Sequence, residues 1–187
     1  MDRNELADLL LESATLKRMP RSGWEMRGVP HVESVAEHGF GVAFVTLALV
    51  DTLQAKGERD GSGKLNLENA LIIALLHDLA EVRLTDLPVS AARLLSRQVK
   101  RRAEARAMSD LLAALPGARR LGGLWQEFEE GTSAEGRLVR DADKLEMMIQ
   151  CLRYEQAGSR GLDDFWQATD QRQWHYALCA DLYAHLK

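Results

Sequence analysis

The stretch ALLHDLAEVRLTDLP, residues 74–88, decides how the rest of the sequence is interpreted. It overlaps a nearly continuous apolar run, Leu67–Leu76, and then carries four ionisable side chains: His77, Asp78, Glu81 and Asp86. On an α-helix, which turns about 100° per residue, Glu81 lies about 40° and Asp78 about 100° from His77, so the three share one face. A helix that is otherwise apolar all round belongs in the protein interior, where an unpaired charge is costly. A bound metal ion would compensate that cost.

Length and composition favour one globular domain, 1–187, because 187 residues with 46% apolar side chains are enough to bury a core. The net charge of −4 does not favour a nucleic-acid partner. Cys151 and Cys179 lack zinc-site spacing and favour a reduced, cytoplasmic setting. The N-terminal segment has acidic residues where a signal peptide needs basic ones, and the longest apolar stretch, Gly39–Val50, is too short to span a bilayer. We therefore expect a cytoplasmic protein with no membrane partner.

Helical periodicity dominates the chain, and the alternation typical of strands is nearly absent, so the predicted fold is all-α. We expect a single bundle of about six to eight helices with the polar cluster in its core. Ser34 and Glu37 form a capping box, and Asn66 is an N-cap. The segment 57–64, GERDGSGK, is predicted to be a loop. The predicted helices cover 4–17, 34–57, 66–82, 89–114, 122–130, 134–157 and one or two segments between 162 and 186.

Further polar side chains lie on apolar helix faces. His38 lies on the apolar face of the helix 34–57. In the helix 134–157, Asp141 and Asp143 lie on two different apolar stripes, and periodicity does not choose between them. A single buried histidine is more often a hydrogen-bonded core residue than a ligand, and adjacent His-Asp pairs occur by chance. Two histidines and two or more aspartates on three helices make a metal site a serious alternative to a hydrogen-bonded core cluster.

Four motifs together resemble the HD-domain metal-dependent phosphohydrolases: EH at 37–38, HDLAE at 77–81, TDLP at 85–88 and DADKLE at 141–146. The resemblance is greater to one branch, the small 5′-deoxynucleotidases, through LKRMPRSGWEMRGV, ESVAEH, HDLAEVRLTDLP and DADKLEMMIQCLRYE. These segments extend from about residue 15 to 157. Their order and spacing are more specific than any single motif.

The resemblance implies a single divalent ion bound by two imidazoles and two carboxylates: His38, His77, Asp78 and Asp143. It thereby selects Asp143 over Asp141. Such ligands suit Mn, Co, Fe, Ni or Zn, with Mg also allowed. Four protein ligands on an octahedral ion leave two positions open for water and a phosphate oxygen, whereas a closed tetrahedral site would be structural. The resemblance also suggests a homodimer.

Catalytic and substrate-binding roles follow from the same resemblance. It implies that Glu81 and Asp86 are catalytic, the alternatives being a hydrogen bond to a ligand histidine for Glu81 and a turn or cap for Asp86. It implies that Trp24 packs near the sugar and disfavours a 2′-hydroxyl, the alternative being a core anchor. The basic partner of Trp24 is matched less cleanly: Arg18 and Arg21 are the candidates, and Arg27 is also nearby, in a segment that is otherwise interpretable as a solvated loop.

The expected function is metal-dependent hydrolysis of deoxynucleoside 5′-monophosphates to deoxynucleoside and phosphate. One alternative is a deoxynucleoside triphosphate triphosphohydrolase with the same metal centre, and a less favoured one is a non-catalytic regulatory or binding protein that the metal stabilises. The basic run RQVKRRAEAR, 97–106, is interpreted as a solvated helix face because the chain as a whole is acidic.

Overall fold

The fold is all-α, as predicted, in a computed structural model that describes residues 3–57, 64–88, 91 and 94–187. Within those residues there is no β-strand, and one isolated antiparallel bridge joins Pro20 to Ser34. The predicted loop 57–64 falls largely outside the described residues.

Ten α-helices and one 3-10 helix are described, of which eight α-helices have eight residues or more. The prediction of six to eight helices thus counted the longer elements and missed two four-residue helices, α2 and α5. The elements are α1 (Arg3–Ser13), the 3-10 helix Ala14–Arg18, α2 (Ser22–Glu25), α3 (Val35–Ala55), α4 (Leu67–Leu76), α5 (Glu81–Leu84), α6 (Arg97–Leu112), α7 (Ala118–Glu130), α8 (Ala134–Gln156), α9 (Asp163–Asp170) and α10 (Ala177–Leu186).

Both predicted N-caps are confirmed. The Ser34 hydroxyl accepts the Glu37 amide at 3.2 Å, and the Glu37 carboxylate accepts the Ser34 amide at 2.6 Å, which completes the capping box of α3. The Asn66 side chain accepts the Asn69 amide at 3.0 Å at the start of α4. These local signals fix where the two helices that carry the predicted histidines begin.

Two predicted boundaries were wrong. The helix expected over 66–82 ends at Leu76 and is followed by a turn before α5. The His77 ring donates a hydrogen bond to the Ala74 carbonyl at 2.7 Å. In a continuous α-helix that carbonyl would accept the Asp78 amide instead. The helix expected over 89–114 is described from Arg97, where the Ser96 hydroxyl caps it. Residues 89–90 and 92–93 lie outside the described residues.

The core lies where α3, α4 and α8 pack against one another. Its largest group of buried side chains includes Val42, Ile73, Leu138 and Met148, which are fully buried. His38 belongs to α3, His77 follows α4, and Asp143 belongs to α8. The hydrophobic packing of these three helices therefore sets the relative positions of the polar groups that the sequence singled out.

Helix α3 extends beyond the apolar stretch Gly39–Val50 at both ends. With 21 residues, it is long and apolar enough to cross a membrane by length and composition alone, so the argument from the shorter stretch Gly39–Val50 fails. Core helices of soluble proteins pass the same test. One side of α3 packs against α4 and α8, whereas Phe40 and Phe44, 75% and 62% exposed, form an uncovered apolar stripe on another side.

Candidate metal centre and active site

His77 is held in one orientation by the end of α4. Its Nδ1 donates to the Ala74 carbonyl at 2.7 Å, so the Nε2 atom is the free ligand position. That Nε2 lies 3.4 Å from the Nε2 of His38. A metal-binding histidine ordinarily has its second nitrogen fixed in this way by a carbonyl or a carboxylate.

His38 is oriented from the opposite side by a carboxylate. It is fully buried, and its Nδ1 hydrogen-bonds to Glu146 on α8 at 2.5 Å. Its Nε2 therefore faces His77 and the carboxylates beside it. The two imidazoles, which come from different helices, present their Nε2 atoms to one common point.

Two carboxylates lie beside that point. The Asp78 Oδ2 atom is 3.2 Å from His77 Nε2 and 3.7 Å from His38 Nε2. The Asp143 Oδ1 atom is 3.3 Å from His38 Nε2, and its other oxygen is 3.6 Å from Lys144 Nζ. Donor atoms bound at about 2.1 Å to one ion lie roughly 3.0–3.4 Å apart, so these separations fit a shared cation. The ligand atoms of His38, His77 and Asp78 all lie within 4.8 Å of one another, and Asp143 contacts this trio through His38.

The electrostatics of the site favour positive charge. Burial and Arg21 lower the pKa of His38, but hydrogen bonds to Asp143 and Glu146 outweigh both and raise it to about 10. Burial raises the pKa of Asp78, but contacts with His77 and Arg21 outweigh it and lower that pKa below the usual range. Carboxylates that hold a proton on a buried imidazole would equally stabilise a divalent ion beside it. The donor set and its field therefore fit a metal ion.

Glu81, Asp86 and Arg21 form a second layer next to these groups. Arg21 Nη1 donates to Asp78 at 3.0 Å and lies 3.8 Å from Asp86. Burial, then Asp78 and Asp86, raise the pKa of Glu81 to about 9, and its Oε2 atom is buried without a hydrogen-bond partner in the described structure. Asp86 accepts the Ser22 amide at 2.6 Å, so it caps α2 as well as facing Arg21.

A strained residue aims Asp86 at this layer. Thr85 has a φ of 62°, which is rare for a β-branched residue. It follows α5, and its amide donates to the Glu81 carbonyl at 2.7 Å. The turn redirects the chain so that Asp86 reaches the start of α2, 64 residues earlier in the sequence. Strain of this kind is typical of functional sites.

Comparison with known proteins shows which family the chain belongs to. A family model described as "HD domain" matches residues 13–177. The chain belongs to the HD-domain family. It is 34% identical over 158 residues to a Xenopus laevis protein named 5′-deoxynucleotidase HDDC2, an alignment that covers 82% of this chain and 72% of that protein. The human protein of the same name is 33% identical, with 82% and 71% covered.

Solved structures agree as well. A conserved hypothetical protein from Pyrococcus furiosus superposes with a TM-score of 0.81 at 39% identity, and the match covers 96% of this chain and 98% of the other. The predicted family is therefore confirmed. Membership makes this HD-domain protein a hydrolase of the phosphohydrolase type, with His, Asp and Glu groups that could bind a metal.

The two candidate aspartates of the HD-domain chain have different surroundings. Asp141 is fully buried and accepts hydrogen bonds from Arg172 at 2.9 Å and from the backbone amides of His175 and Tyr176 at 2.8 and 3.0 Å. It therefore joins α8 to the segment before α10. Asp143 instead faces His38, which agrees with the choice that the resemblance implied.

We expect substitutions at these aspartates to separate stability from metal binding. Asp141→Asn should lower the free energy of unfolding by about 2–4 kcal/mol, because it weakens a buried charged acceptor with four donors, the fourth being the His175 ring Nδ1 at 2.9 Å. Asp143→Asn should leave stability without metal nearly unchanged but weaken binding of Mn²⁺ or Co²⁺. Urea unfolding and calorimetric metal titration measure the two effects. Equal loss of metal affinity in both variants would contradict the distinction.

Sequence reasoning missed the carboxylates on the Nδ1 side of His38. Glu146 orients His38, and Glu33 lies close enough that the three groups have ligand atoms within 4.8 Å of one another. Burial, then Glu146, raises the pKa of Glu33 to about 7, and Trp24 Nε1 donates to Glu33 at 2.8 Å. The signal for Glu146 was present, since it lies three residues after Asp143 on α8 and so projects from nearly the same helix face.

Gly41 lies against the Glu146 carboxylate, so a substitution at Gly41 tests the contact between Glu146 and His38. A Cβ atom at Gly41 would lie 2.5 Å from Glu146 Oε1, whereas one at Gly39 on the same helix meets nothing within 4 Å. Gly41→Ala should displace the Glu146 carboxylate from His38 and lower metal affinity by about 10-fold or more. Gly39→Ala is the matched control and should retain metal affinity. The idea is wrong if calorimetry gives the same affinity for both variants.

The predicted substrate-binding residues differ in how close they lie to the metal centre and in how exposed they are. Of the two candidate arginines, Arg21 faces the site, whereas Arg18 is exposed at the end of the 3-10 helix. Trp24 is 2% exposed and stacks on Phe165 with ring centroids 4.2 Å apart. The indole therefore packs as a core anchor, the alternative named from the sequence, and its expected role near the sugar stays a prediction.

Proposed function

We propose that this HD-domain hydrolase is a metal-dependent 5′-deoxynucleotidase that releases deoxynucleoside and phosphate from deoxynucleoside 5′-monophosphates. The observation that supports it most is the convergence of His38, His77 and Asp78 at one point, in a chain 34% identical to a protein named 5′-deoxynucleotidase. The metal would be held by these three residues and Asp143, with Mn, Co, Fe, Ni or Zn favoured by the ligand types. When bound, such an ion activates water and withdraws charge from phosphoryl oxygens.

The residues around the ligands would divide the remaining work. Arg21 would bind the phosphate dianion through its guanidinium, with Asp86 fixing the orientation of that side chain. Glu81 would transfer the proton between the attacking water and the departing 5′-oxygen, since its buried Oε2 has no other partner in the described structure. Both roles need the short turn after α4, which brings Glu81 and Asp86 to the same side as Asp78.

A cavity next to these residues would accommodate the nucleoside. Its volume is about 570 Å³, and its lining includes Gly23, Lys144 and Phe165. Lys144 lines the cavity and also lies beside the proposed metal centre, because its Nζ is 3.6 Å from Asp143. Phe165, which stacks on Trp24, presents an aromatic ring at the wall. Trp24 would therefore affect sugar preference by positioning Phe165, without touching the sugar itself.

Product analysis tests this function against the triphosphohydrolase alternative. With Mn²⁺, Co²⁺, Mg²⁺ or Zn²⁺, the protein should release inorganic phosphate from dAMP and little tripolyphosphate from dATP. His77→Ala and Asp78→Ala should reduce turnover to background under every metal, since each removes a ligand. His185→Ala, which alters an exposed histidine near the C-terminus, is the control. Tripolyphosphate as the main product would favour the alternative, and turnover retained without His77 would contradict the site.

We also propose that the protein is a single-domain, cytoplasmic homodimer. Phe40, Phe44 and Leu47 follow the i, i+4, i+7 pattern on α3 and are exposed, which gives an apolar stripe suited to a second copy. Phe44→Asp should convert a dimer to a monomer in sedimentation equilibrium. Leu11→Asp, at an exposed leucine of α1, is the control and should remain dimeric. A wild-type monomer at micromolar concentration would contradict the homodimer.

A further inference from the structure

A large groove lies between α6 and α7, and its lining contains none of the proposed metal ligands or catalytic residues. Its volume is about 1070 Å³. That is large enough for a ligand the size of a phosphorylated aromatic metabolite. The basic run 97–106, interpreted from the sequence as a solvated face, contributes one wall.

The rim of this groove carries excess positive charge. Arg97, Arg101 and Arg102 line it from α6 and Arg119 from α7, against the carboxylates Glu129 and Glu130. Arg101 pairs with Glu130 at 3.4 Å, whereas the other three arginines form no ion pair with any described residue. Guanidinium groups are the side chains best suited to bind phosphate oxygens in pairs.

The floor of the groove is apolar and carries an unused hydrogen-bond donor. Met108, Leu112 and Trp125 line it and belong to one buried cluster. The Trp125 Nε1 atom is buried and has no acceptor in the described structure. Trp125 therefore brings to the lining a hydrogen-bond donor that no described residue uses. Buried tryptophan N–H groups usually have a partner, so its absence here is informative.

Two adjacent glycines keep the groove open. Gly122 and Gly123 lie inside α7, where glycine weakens a helix relative to alanine. Both line the groove, and a Cβ atom at either would meet nothing within 4 Å. Neither glycine is required by packing within the chain. Their place in the wall is explained if a ligand approaches the helix closely there.

We infer that this groove binds a small organic phosphate, with the anionic head on the arginines and an apolar, flat body on the floor. A merely solvated helix face would explain the arginines alone. It would not explain a groove of about 1070 Å³, an indole N–H without an acceptor and two glycines in the same place. The inference does not depend on the proposed deoxynucleotidase activity, because it uses a different set of residues.

The test uses the indole N–H signals of the full-length protein labelled with ¹⁵N-tryptophan and kept in EDTA. The probe is 1-naphthyl phosphate, with 1-naphthol as the uncharged comparison, and Trp125→Phe assigns the Trp125 signal. We expect the phosphate, but not the naphthol, to shift the Trp125 signal at sub-millimolar to millimolar concentration. The Trp24, Trp166 and Trp174 signals serve as internal references for other parts of the molecule.

A matched pair of double variants tests the arginines. The double variant Arg102→Gln/Arg119→Gln should raise the dissociation constant of the probe about 10-fold or more, because charge-assisted hydrogen bonds are lost. Arg106→Gln with Arg120→Gln removes the same charge from the same two helices outside the lining and should leave it unchanged. No Trp125 shift up to 10 mM (about the practical limit of such titrations), a shift confined to the other tryptophans, or equal affinity in both double variants would overturn the inference. Turnover of dAMP by the same variants with metal reports separately on the proposed function.

Discussion

Two buried imidazoles whose Nε2 atoms meet 3.4 Å apart are the constraint on which the rest of the site depends. Neither ring can turn away, because the Ala74 carbonyl holds one and the Glu146 carboxylate holds the other. The Ala74 carbonyl and the Glu146 carboxylate each belong to a helix of the hydrophobic core. The packing of these helices therefore fixes the positions of the two Nε2 atoms. A cation between these nitrogens and Asp78 would relieve the charge imbalance that the arrangement creates. The hydrophobic packing of these helices is therefore compatible with the buried charged side chains only because those side chains are grouped in one polar centre.

Much of the fold could be predicted from the sequence because its signals are local. The capping box at Ser34 and the cap at Asn66 act within one helical turn, and both helices begin where those residues indicate. The end of α4 could not be predicted in this way. It depends on a side-chain nitrogen of His77 taking a backbone acceptor, and helical periodicity continues through that point. Tertiary chemistry therefore overrode an apolar pattern that favoured a longer helix.

The candidate site likewise combines features that local sequence patterns indicate with features that only tertiary contacts produce. Periodicity located His38 and His77 on buried faces but left Asp141 and Asp143 equivalent, because both lie on apolar stripes of α8. Their difference is made by a segment 31–35 residues further along the chain, which supplies four donors to Asp141. Charge alone likewise could not distinguish Arg21 from Arg18, since only the fold around α2 brings one of them to Asp78. The burial of Trp24 likewise follows from packing against Phe165, which is 141 residues further along the chain.

The distribution of charge in the folded chain explains why a mild net charge was uninformative. The sequence contains 28 acidic and 24 basic side chains, which gives only −4 overall. Folding separates them locally: carboxylates surround the two imidazoles and attract a cation, whereas arginines line the groove between α6 and α7 and attract an anion. Inside partly buried sites, where the effective dielectric constant is low, such local imbalances outweigh the net charge of the molecule. The protein can therefore present sites of opposite charge preference on one small scaffold, and α7 contacts both, since its Phe128 packs edge-on against His77 while its Arg119 lines the groove.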